Sequence, residues 1–283
     1  MKAYAKINLL LEVIGKRENN YHDLCMINCS IDLFDEIFIE SDSFFSFQII
    51  SELAHETENL PVDEKNLAVK ALNKFCSLEG KEPNYKVILH KRIPIGAGLA
   101  GGSTDAAAVL NLLGKNQKSL SEIALSLGAD IPFCLNGKPA VVRGIGEILE
   151  PFKIKSQLNF LIVNPGFSVS TKKIFEAFNL QHKNKKSRSE DLKRSLETGD
   201  IAAVGKLLHN DLEPITSKLY PEVIRALDAI RSTNPLGAIM SGSGPTVFGL
   251  YESKGTAESA CKKLNGNFPI VMVAASVIPQ EEL

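Results

Sequence analysis

The most informative stretch of the sequence is Pro94-Ile-Gly-Ala-Gly-Leu-Ala-Gly-Gly-Ser-Thr-Asp-Ala-Ala-Ala108. Its four glycines crowd a short loop. Because glycine has no Cβ, such a loop can enter positive φ and bring its N–H groups close to a ligand. We expect Ser103 or Thr104 to cap a helix that continues through Ala106–Leu113 and ends at Gly114. A glycine-rich loop that leads into a helix N-terminus binds anions, because unpaired N–H groups and the helix dipole both face the ligand. The stretch therefore predicts a polyphosphate site.

The glycine spacing also fits two better-known phosphate motifs. Gly96-x-Gly-x-x-Gly101 matches the dinucleotide fingerprint, which needs a strand directly before the first glycine and a second strand that ends in an acidic residue about 20 positions later. Here His90–Pro94 intervenes, and Ser119–Leu127 predicts a helix that begins with a capping box. A Walker A loop needs a lysine that Gly102-Ser103 lacks. The remaining alternative is a glycine-rich turn that only packs close to a strand.

Composition is that of an ordinary globular protein. The 283 residues suffice for two domains or one large one. A net charge of −1 provides no basic field for nucleic acid. The five cysteines form no C-x-x-C pair, which argues against a disulfide framework or a zinc site and for a reducing compartment. The N-terminus does not resemble a signal peptide, and no stretch is apolar enough for a membrane span. We therefore expect a cytoplasmic protein.

The first half of the chain predicts an α+β arrangement. Ala3–Val13 begins with alternating apolar and polar residues, which is typical of a strand and places Lys6 and Asn8 on one face. Further strands are expected at 24–33, 35–40, 44–50 and 85–90, a helix at 66–78, and a strand pair at 140–150.

The second half follows the order strand, helices, strand, strand, helix, strand. The strands are expected at 158–163, 237–240, 246–251 and 270–277, and the helices at 171–178, 189–196, 201–209, 221–231 and 256–264. This is the split βαβ, ferredoxin-like pattern with extra helices after its first strand. We expect two domains, residues 1–152 and residues 153–283.

Four further sites outside the glycine stretch are candidates for chemistry. Gly237–Thr246 joins two apolar strands with small residues, which suits a hairpin turn or, together with the first loop, a shared cleft. Asp130 stands before an apolar run, where a carboxylate serves as a general base or simply as a helix-end residue. Lys6 on a core strand needs a partner, because lysine is rarely buried unpaired. Tyr21-His22 follows a polar turn, where the two rings suit stacking on a base or plain exposure.

The motifs resemble those of the GHMP kinases (galactose, homoserine, mevalonate and phosphomevalonate kinases). Pro94–Ala108 is similar to the central motif of that family, and Gly237–Thr246 is similar to its third motif. Five segments, in the same order, resemble the members of the family that act on a cytidyl diphosphate sugar alcohol: Ala5–Leu9, Gly15–His22, Gly98–Ser103, Gly128–Pro132 and Asn210–Glu213. The resemblance extends from the N-terminus to about Thr246.

The resemblance implies an α+β, two-domain GHMP kinase fold. Residues 1–152 would be a ribosomal-protein-S5-like domain that binds ATP and carries the catalytic pair. Residues 153–283 would be the ferredoxin-like C-terminal domain, with the active site in the cleft between the two. ATP, with Mg²⁺ held mainly through its phosphates rather than by dedicated protein ligands, would phosphorylate the 2-hydroxyl of the methylerythritol unit in the non-mevalonate (MEP) isoprenoid pathway.

Residue roles follow from matching positions in the resemblance. Asp130 would take the hydroxyl proton, and Lys6 would hold that carboxylate and stabilise developing charge. ATP would contact Asn66, Lys91, Pro94, Ile95, Gly96, Ala97, Gly98, Leu99, Ala100, Gly101, Gly102, Ser103 and Thr104. The rings of Tyr21 and Phe175 would enclose the cytosine. The substrate as a whole would contact Asn8, Tyr21, His22, Thr171, Phe175, Gly242 and Ser243.

Two alternatives stay open at this point. Another GHMP kinase, of the homoserine or mevalonate type, would share the fold, but a small amino-acid substrate gives no reason for the pair Tyr21-His22. A non-catalytic S5-like RNA-binding module needs a basic face, which the net charge of −1 disfavours. We expect a small-molecule substrate, no nucleic-acid or membrane partner, and a monomer or weak homodimer.

Overall fold

The structure is a computed structural model that describes residues 1–18, 21–51, 60–114, 117–179 and 187–278. The strands are β1 Lys2–Lys16, β2 His22–Ser41, β3 Ser46–Ser51, β4 Tyr85–Lys91, β5 Ala140–Gly144, β6 Ile148–Pro151, β7 Asn159–Asn164, β8 His209–Asn210, β9 Gly237–Met240, β10 Val247–Tyr251 and β11 Ile270–Ala275. The helices are α1 Leu67–Leu78, α2 Gly101–Leu113, α3 Gln117–Leu127, α4 Ile131–Asn136, α5 Thr171–Ala177, α6 Ser189–Thr198, α7 Ile201–Leu207, α8 Glu213–Leu219, α9 Pro221–Arg231 and α10 Lys254–Leu264. None of the helices in these ranges has the length and apolar character that crossing a membrane requires.

The larger sheet has seven strands, with β1 inside it. The order is β3-β4-β2-β1-β8, and β5 and β6 form an antiparallel pair that joins β2. β4 is antiparallel to β2, whereas β3 is parallel to β4 and β8 is parallel to β1. The predicted strand pair at 140–150 is therefore confirmed.

The chain divides into two compact units, each assembled from separate segments. One consists of Met1–Lys6, Leu33–Ile95 and Ala100–Gly137. The other consists of Ile7–Asp32, Gly96–Leu99 and Lys138–Leu283. The middle of the glycine loop thus belongs to the second unit, while its two ends belong to the first. The expected domain division at residue 152 stays a prediction.

In the first unit, helices cover one face of the sheet. Alternate residues of β2 and β4, namely Ile37, Val87 and Leu89, are buried in the same hydrophobic cluster as Leu72 of α1 and Val109 of α2. The period of two in the strands puts one apolar face toward the helices. Three consecutive alanines of α2, at 106–108, are also buried in this cluster. The packing fixes the start of α2, where the glycine loop ends.

In the second unit, a four-stranded antiparallel sheet has the order β11-β7-β10-β9. Its last strand in sequence lies beside its first, and its third strand lies between the first and the second. This is the ferredoxin-like order, so that prediction is confirmed. The rings of Phe160 and Phe248 meet edge to face at 5.5 Å in its core. Helices α9 and α10 pack against the sheet.

Two predicted boundaries in the first half are wrong. The strands expected at 24–33 and 35–40 are one continuous strand, β2, because the buried Asp35 accepts the backbone N–H of Ile93 at 2.8 Å and is satisfied inside the sheet. Neither Ser103 nor Thr104 caps α2, which already begins at Gly101. The hydroxyl of Thr104 instead donates to the carbonyl of Tyr4 at 2.8 Å.

Two predicted helix boundaries also differ from the structure. α3 is already helical at Gln117, so Ser119 does not head a capping box. The helix expected at 201–209 ends at Leu207, and His209 pairs with Leu10 of β1 instead. Sequence analysis also missed α4 and α8, which have six and seven residues.

Candidate active site

The glycine loop between β4 and α2 adopts the positive φ values that its composition predicts. Gly96 and Gly98 have φ values of 62° and 76°, and Ala100 has a φ of 59°. Ala100 is the N-cap of α2 and makes no side-chain cap hydrogen bond. The N–H groups in the first turn of a helix have no partner within the helix. This turn therefore offers its N–H groups and the positive end of the dipole to an anion.

The middle of the glycine loop is held by the hairpin loop 241–246, between β9 and β10. The hydroxyl of Ser241 donates to the Gly98 carbonyl at 3.1 Å. The N–H of Thr246 donates to the Ala97 carbonyl at 3.3 Å. A Cβ on Gly98 would lie 2.6 Å from the Ser241 carbonyl oxygen. Glycine is therefore required at position 98 both by its φ and by the close approach of the hairpin loop.

Lys6 and Asp130 form an ion pair in the first unit. The Lys6 Nζ lies 3.2 Å from the Asp130 Oδ1, and the two side chains are 5% and 37% exposed. Asp130 is the N-cap of α4, yet its side chain makes no cap hydrogen bond there. The carboxylate is thus paired with a buried ammonium on one side and reaches the surface on the other. Such a group can accept a proton from a bound hydroxyl.

Lys91 is buried between two aspartates. Its ammonium donates to Asp35 and, at 3.0 Å, to the Oδ2 of Asp105. Burial lowers the pKa of Lys91, but its interactions with Asp105 and Asp35 outweigh burial and raise it above its ordinary value. The ammonium also lies 2.9 Å from the position that a Cβ on Gly101 would take. Lys91 thus adjoins the first residue of α2, and its contact with ATP stays a prediction.

Asn66 is the N-cap of α1. Its Oδ1 accepts the N–H of Ala68 at 2.9 Å, and its Nδ2 donates to the Pro61 carbonyl at 2.9 Å. A Cβ on Gly102 would lie 3.5 Å from Leu67, the first residue of α1. The cap therefore anchors the end of α1 that adjoins the glycine loop.

We expect Asn66→Ala to lower the free energy of unfolding by about 1 kcal/mol, because it removes the cap. Asn66→Ser, which keeps a capping oxygen and places no oxygen against the Pro61 carbonyl, should be destabilised less than Asn66→Ala. Urea unfolding measures both. If Asn66→Ser is destabilised as much as Asn66→Ala, the capping oxygen is not what Asn66 contributes.

In the second unit, several predicted substrate residues lie around the hairpin loop. The hydroxyls of Thr171 and Ser243 are hydrogen bonded at 2.8 Å. A Cβ on Gly242 would lie 3.5 Å from the Oδ1 of Asn8. Asn210 fixes the backbone here, since its Nδ2 donates to the Gly242 carbonyl at 2.8 Å and to the Met240 carbonyl at 2.7 Å. The structure thus brings together polar groups from β1, α5 and the hairpin loop.

Aromatic rings meet at the start of β2. The rings of His22 and Phe175 stack with centroids 5.1 Å apart and planes at 27°. Burial lowers the pKa of His22, and the nearby Lys16 lowers it further, so the imidazole is neutral at pH 7. Tyr21 is 59% exposed, and Phe178 meets His22 edge to face at 6.0 Å. His22 and Phe175 therefore form one aromatic surface, with the exposed Tyr21 next to His22 in sequence.

Sequence reasoning missed the buried partners that support these groups. The sequence places Asp35 on a predicted strand and Asp105 near the start of a predicted helix, and does not show that the two meet. Both are contacted by Lys91, which lies 56 residues from Asp35 and 14 from Asp105. Asp35 is one of several acidic residues on β2, so the sequence carries no signal that singles it out.

Two family models match the chain. The model of the GHMP kinases N terminal domain matches residues 66–138, and that of the GHMP kinases C terminal matches residues 192–270. The first match contains the glycine loop and Asp130, and the second contains the hairpin loop. The fold and the site thus define a GHMP-type kinase.

Individual proteins of known sequence or structure are similar to most of the chain. The chain is 40% identical to a 4-diphosphocytidyl-2-C-methyl-D-erythritol kinase of Caldicellulosiruptor saccharolyticus over 93% of this chain and 92% of the relative. The crystal structure of a 4-(cytidine 5'-diphospho)-2C-methyl-D-erythritol kinase superposes with a TM-score of 0.81 at 30% identity and covers 98% of both chains. The crystal structure of the homoserine kinase from Cytophaga hutchinsonii superposes with a TM-score of 0.74 and covers 98% of this chain and 96% of that one. Its identity of 21% shows the shared fold alone.

The chain therefore belongs to the GHMP kinase family and, within it, to the 4-diphosphocytidyl-2-C-methyl-D-erythritol kinases. It is an ATP-dependent phosphotransferase with an alcohol acceptor. The predicted fold class, with its N-terminal and C-terminal GHMP domains, is confirmed.

Proposed function

We propose that the chain transfers the γ-phosphoryl group of ATP to the 2-hydroxyl of 4-diphosphocytidyl-2-C-methyl-D-erythritol, a step of the non-mevalonate (MEP) isoprenoid pathway. The observation that carries the proposal is the ion pair between the buried Lys6 and the partly exposed Asp130. A carboxylate oriented by a buried cation suits proton removal from an alcohol. The 40% identity to a named kinase of this substrate supports the choice of acceptor.

In the proposed mechanism, Asp130 accepts the proton of the attacking hydroxyl. Lys6 holds the Asp130 carboxylate and stabilises the charge that develops during transfer. The N–H groups of the glycine loop and of the first turn of α2 bind the phosphate oxygens. Phosphoryl transfer needs positioning and charge stabilisation more than covalent chemistry, and oriented N–H dipoles provide both.

Mg²⁺ supplies further neutralisation of the phosphate charge when it is bound. The glycine loop and the first turn of α2 present N–H groups, which are partners for phosphate oxygens. Among the described residues, no group of three or more His, Cys, Asp and Glu side chains is arranged to hold a metal ion. We therefore propose that Mg²⁺ is held mainly through the phosphate oxygens of ATP, in keeping with its preference for oxygen ligands and water.

The cytidine end of the substrate is assigned to the aromatic surface of His22 and Phe175. Phe175 would stack on the cytosine from one side and Tyr21 from the other, while His22 supplies a polar contact. Asn8, Thr171, Gly242 and Ser243 would bind the rest of the substrate. We also propose domains of residues 1–152 and 153–283 and a cytoplasmic monomer or weak homodimer.

The test of the proposed function is a coupled ADP-release assay with purified protein. We expect turnover with the diphosphocytidyl substrate and little with homoserine or mevalonate. Activity with homoserine alone would contradict the choice of acceptor but keep the kinase assignment. A protein that releases no ADP with any of the three, while shifting an RNA in a gel, would contradict the kinase function itself.

We expect Phe175→Ala to raise KM for the cytidyl substrate by about tenfold while KM for ATP stays near its original value. The reason is that stacking of an aromatic side chain on a base contributes about 1–3 kcal/mol. Phe178→Ala is the matched control, because it removes a ring that meets His22 only by its edge. Steady-state kinetics with each substrate varied in turn measures both constants. A parallel rise of both constants would mean that Phe175 is structural.

A further inference from the structure

Three buried ionisable groups lie beside the first residue of α2. Asp35, Asp105 and Lys91 are 0%, 3% and 4% exposed. The Lys91 ammonium donates to both carboxyl groups and lies against Gly101. One ammonium thus faces two carboxyl groups in a site closed to water. If both carboxyl groups were ionised, the cluster would bury a net negative charge, which is costly in a low-dielectric interior.

The hydrogen-bonding pattern distinguishes the two carboxyl groups. Asp35 is saturated, because it accepts from Lys91 and from the backbone N–H groups of Arg92 and Ile93. Asp105 accepts from Lys91 through Oδ2, but within the described part of the chain its buried Oδ1 has no hydrogen-bond donor. A buried acceptor without a donor is unfavourable. Burial of an ionised carboxylate with an unpaired oxygen costs more than burial of the neutral acid, so this site favours the protonated form of Asp105.

We propose that Asp105 is a neutral carboxylic acid in the folded protein and serves as a positioning residue. With Asp35 it holds the Lys91 ammonium against Gly101 and thereby fixes the start of α2. The cluster then contains one cation and one anion, so no net negative charge lies beneath the turn that binds the triphosphate. The link to ATP rests on the proposed function, whereas the protonation state does not.

The electrostatics around Asp105 agree with the geometry. Burial raises the pKa of Asp105 to about 8, and the charge and hydrogen bonding of Asp35 raise it while Lys91 opposes them. From α4, Asp105 faces the thiol of Cys134, whose pKa is raised mainly by burial, so that thiol stays neutral. The ion pair of Lys6 and Asp130 also acts on Cys134.

The sign of the pH effect follows from the raised pKa. The folded protein holds the proton on Asp105 more tightly than the unfolded chain does. This contribution to stability is fully present below the unfolded pKa of 3.8 and is lost as the pH rises through the folded value of about 8. Asp105→Asn mimics the neutral acid, so the variant should lack this part of the pH dependence.

The experiment compares parent protein, Asp105→Asn, Asp105→Ala and the exposed control Asp228→Asn from about pH 6 to about pH 9. Urea unfolding without nucleotide reports on the proton, and calorimetric ATP binding reports on the loop. We expect stability and ATP affinity of the parent and of Asp228→Asn to fall toward high pH and those of Asp105→Asn to fall less. Asp105→Ala should be weaker throughout in both measurements.

The outcomes distinguish a failure of this proposal from a failure of the proposed function. An Asp105→Asn profile parallel to that of the parent protein would overturn the neutral acid, as would Asp105→Asn being destabilised as much as Asp105→Ala at pH 6. A flattened unfolding profile with an unchanged pH dependence of ATP affinity would overturn the positioning role. Failure of the proposed reaction would leave the unfolding readout intact, since that readout needs no substrate. Isotope-edited NMR identifies the Asp105 carboxyl resonance as the one that Asp105→Asn lacks. If that resonance titrates near the unfolded pKa of 3.8, the neutral acid is also overturned.

Discussion

Asp130→Asn is expected to lower kcat by about 10²–10⁴-fold, which is the usual contribution of general-base catalysis. Asparagine has nearly the same shape as aspartate but does not accept the hydroxyl proton at neutral pH. ATP binding should persist, because the glycine loop is untouched. Single-turnover kinetics with the diphosphocytidyl substrate measures the loss, and calorimetry measures the retained ATP affinity.

Lys6→Ala should cause a loss of similar size, because the ammonium 3.2 Å from Asp130 would be gone. If the two residues act as a unit, the double variant is little worse than either single one. Lys86→Ala is the matched control: it breaks an ion pair of 3.1 Å with Glu40 at the surface, and exposed pairs contribute little. Single variants with near-normal turnover, or with losses that circular dichroism traces to unfolding, would contradict the pair.

Gly98→Ala is expected to reduce ATP affinity by at least about tenfold, and Gly98→Val by more. A side chain at a φ of 76° is strained, which costs about 1–3 kcal/mol. Its Cβ would also lie 2.6 Å from the carbonyl of Ser241 and 2.9 Å from that of Gly244. Backbone atoms cannot swing aside as a flexible side chain does, so the glycine loop itself must move. Calorimetric titration with ATP measures the effect.

Gly266→Ala is the control that separates backbone strain from the clash. Gly266 has a φ of 83°, and a Cβ there would meet nothing within 4 Å. It should lose a little stability and keep its ATP affinity. If Gly98→Ala binds ATP as well as Gly266→Ala does, then the loop conformation described here is not the one that holds the phosphates.

Local patterns in the sequence predicted much of the fold. Alternation along β1 identified a strand with Lys6 inside the fold, and the glycine-to-alanine stretch identified the loop and helix of α2. The helix expected at 66–78 and the order of the second-unit elements along the chain also follow from nearby residues. These features depend on backbone preference and on hydrophobic period, which act over a few residues and are therefore visible in one chain.

Pairing between distant residues was decided only by the tertiary structure. Ser241 reaches Gly98 across 143 positions, and Lys91 reaches Asp35 across 56. The protonated Asp105 that we infer depends on burial and on the closeness of that second carboxylate, neither of which the local sequence shows. The same holds for β8, a two-residue strand that exists only because β1 lies beside it. Composition and spacing show which side chains are available. Close packing of the folded chain determines which of them meet, and therefore which carboxyl groups keep a proton and which loops are held in place.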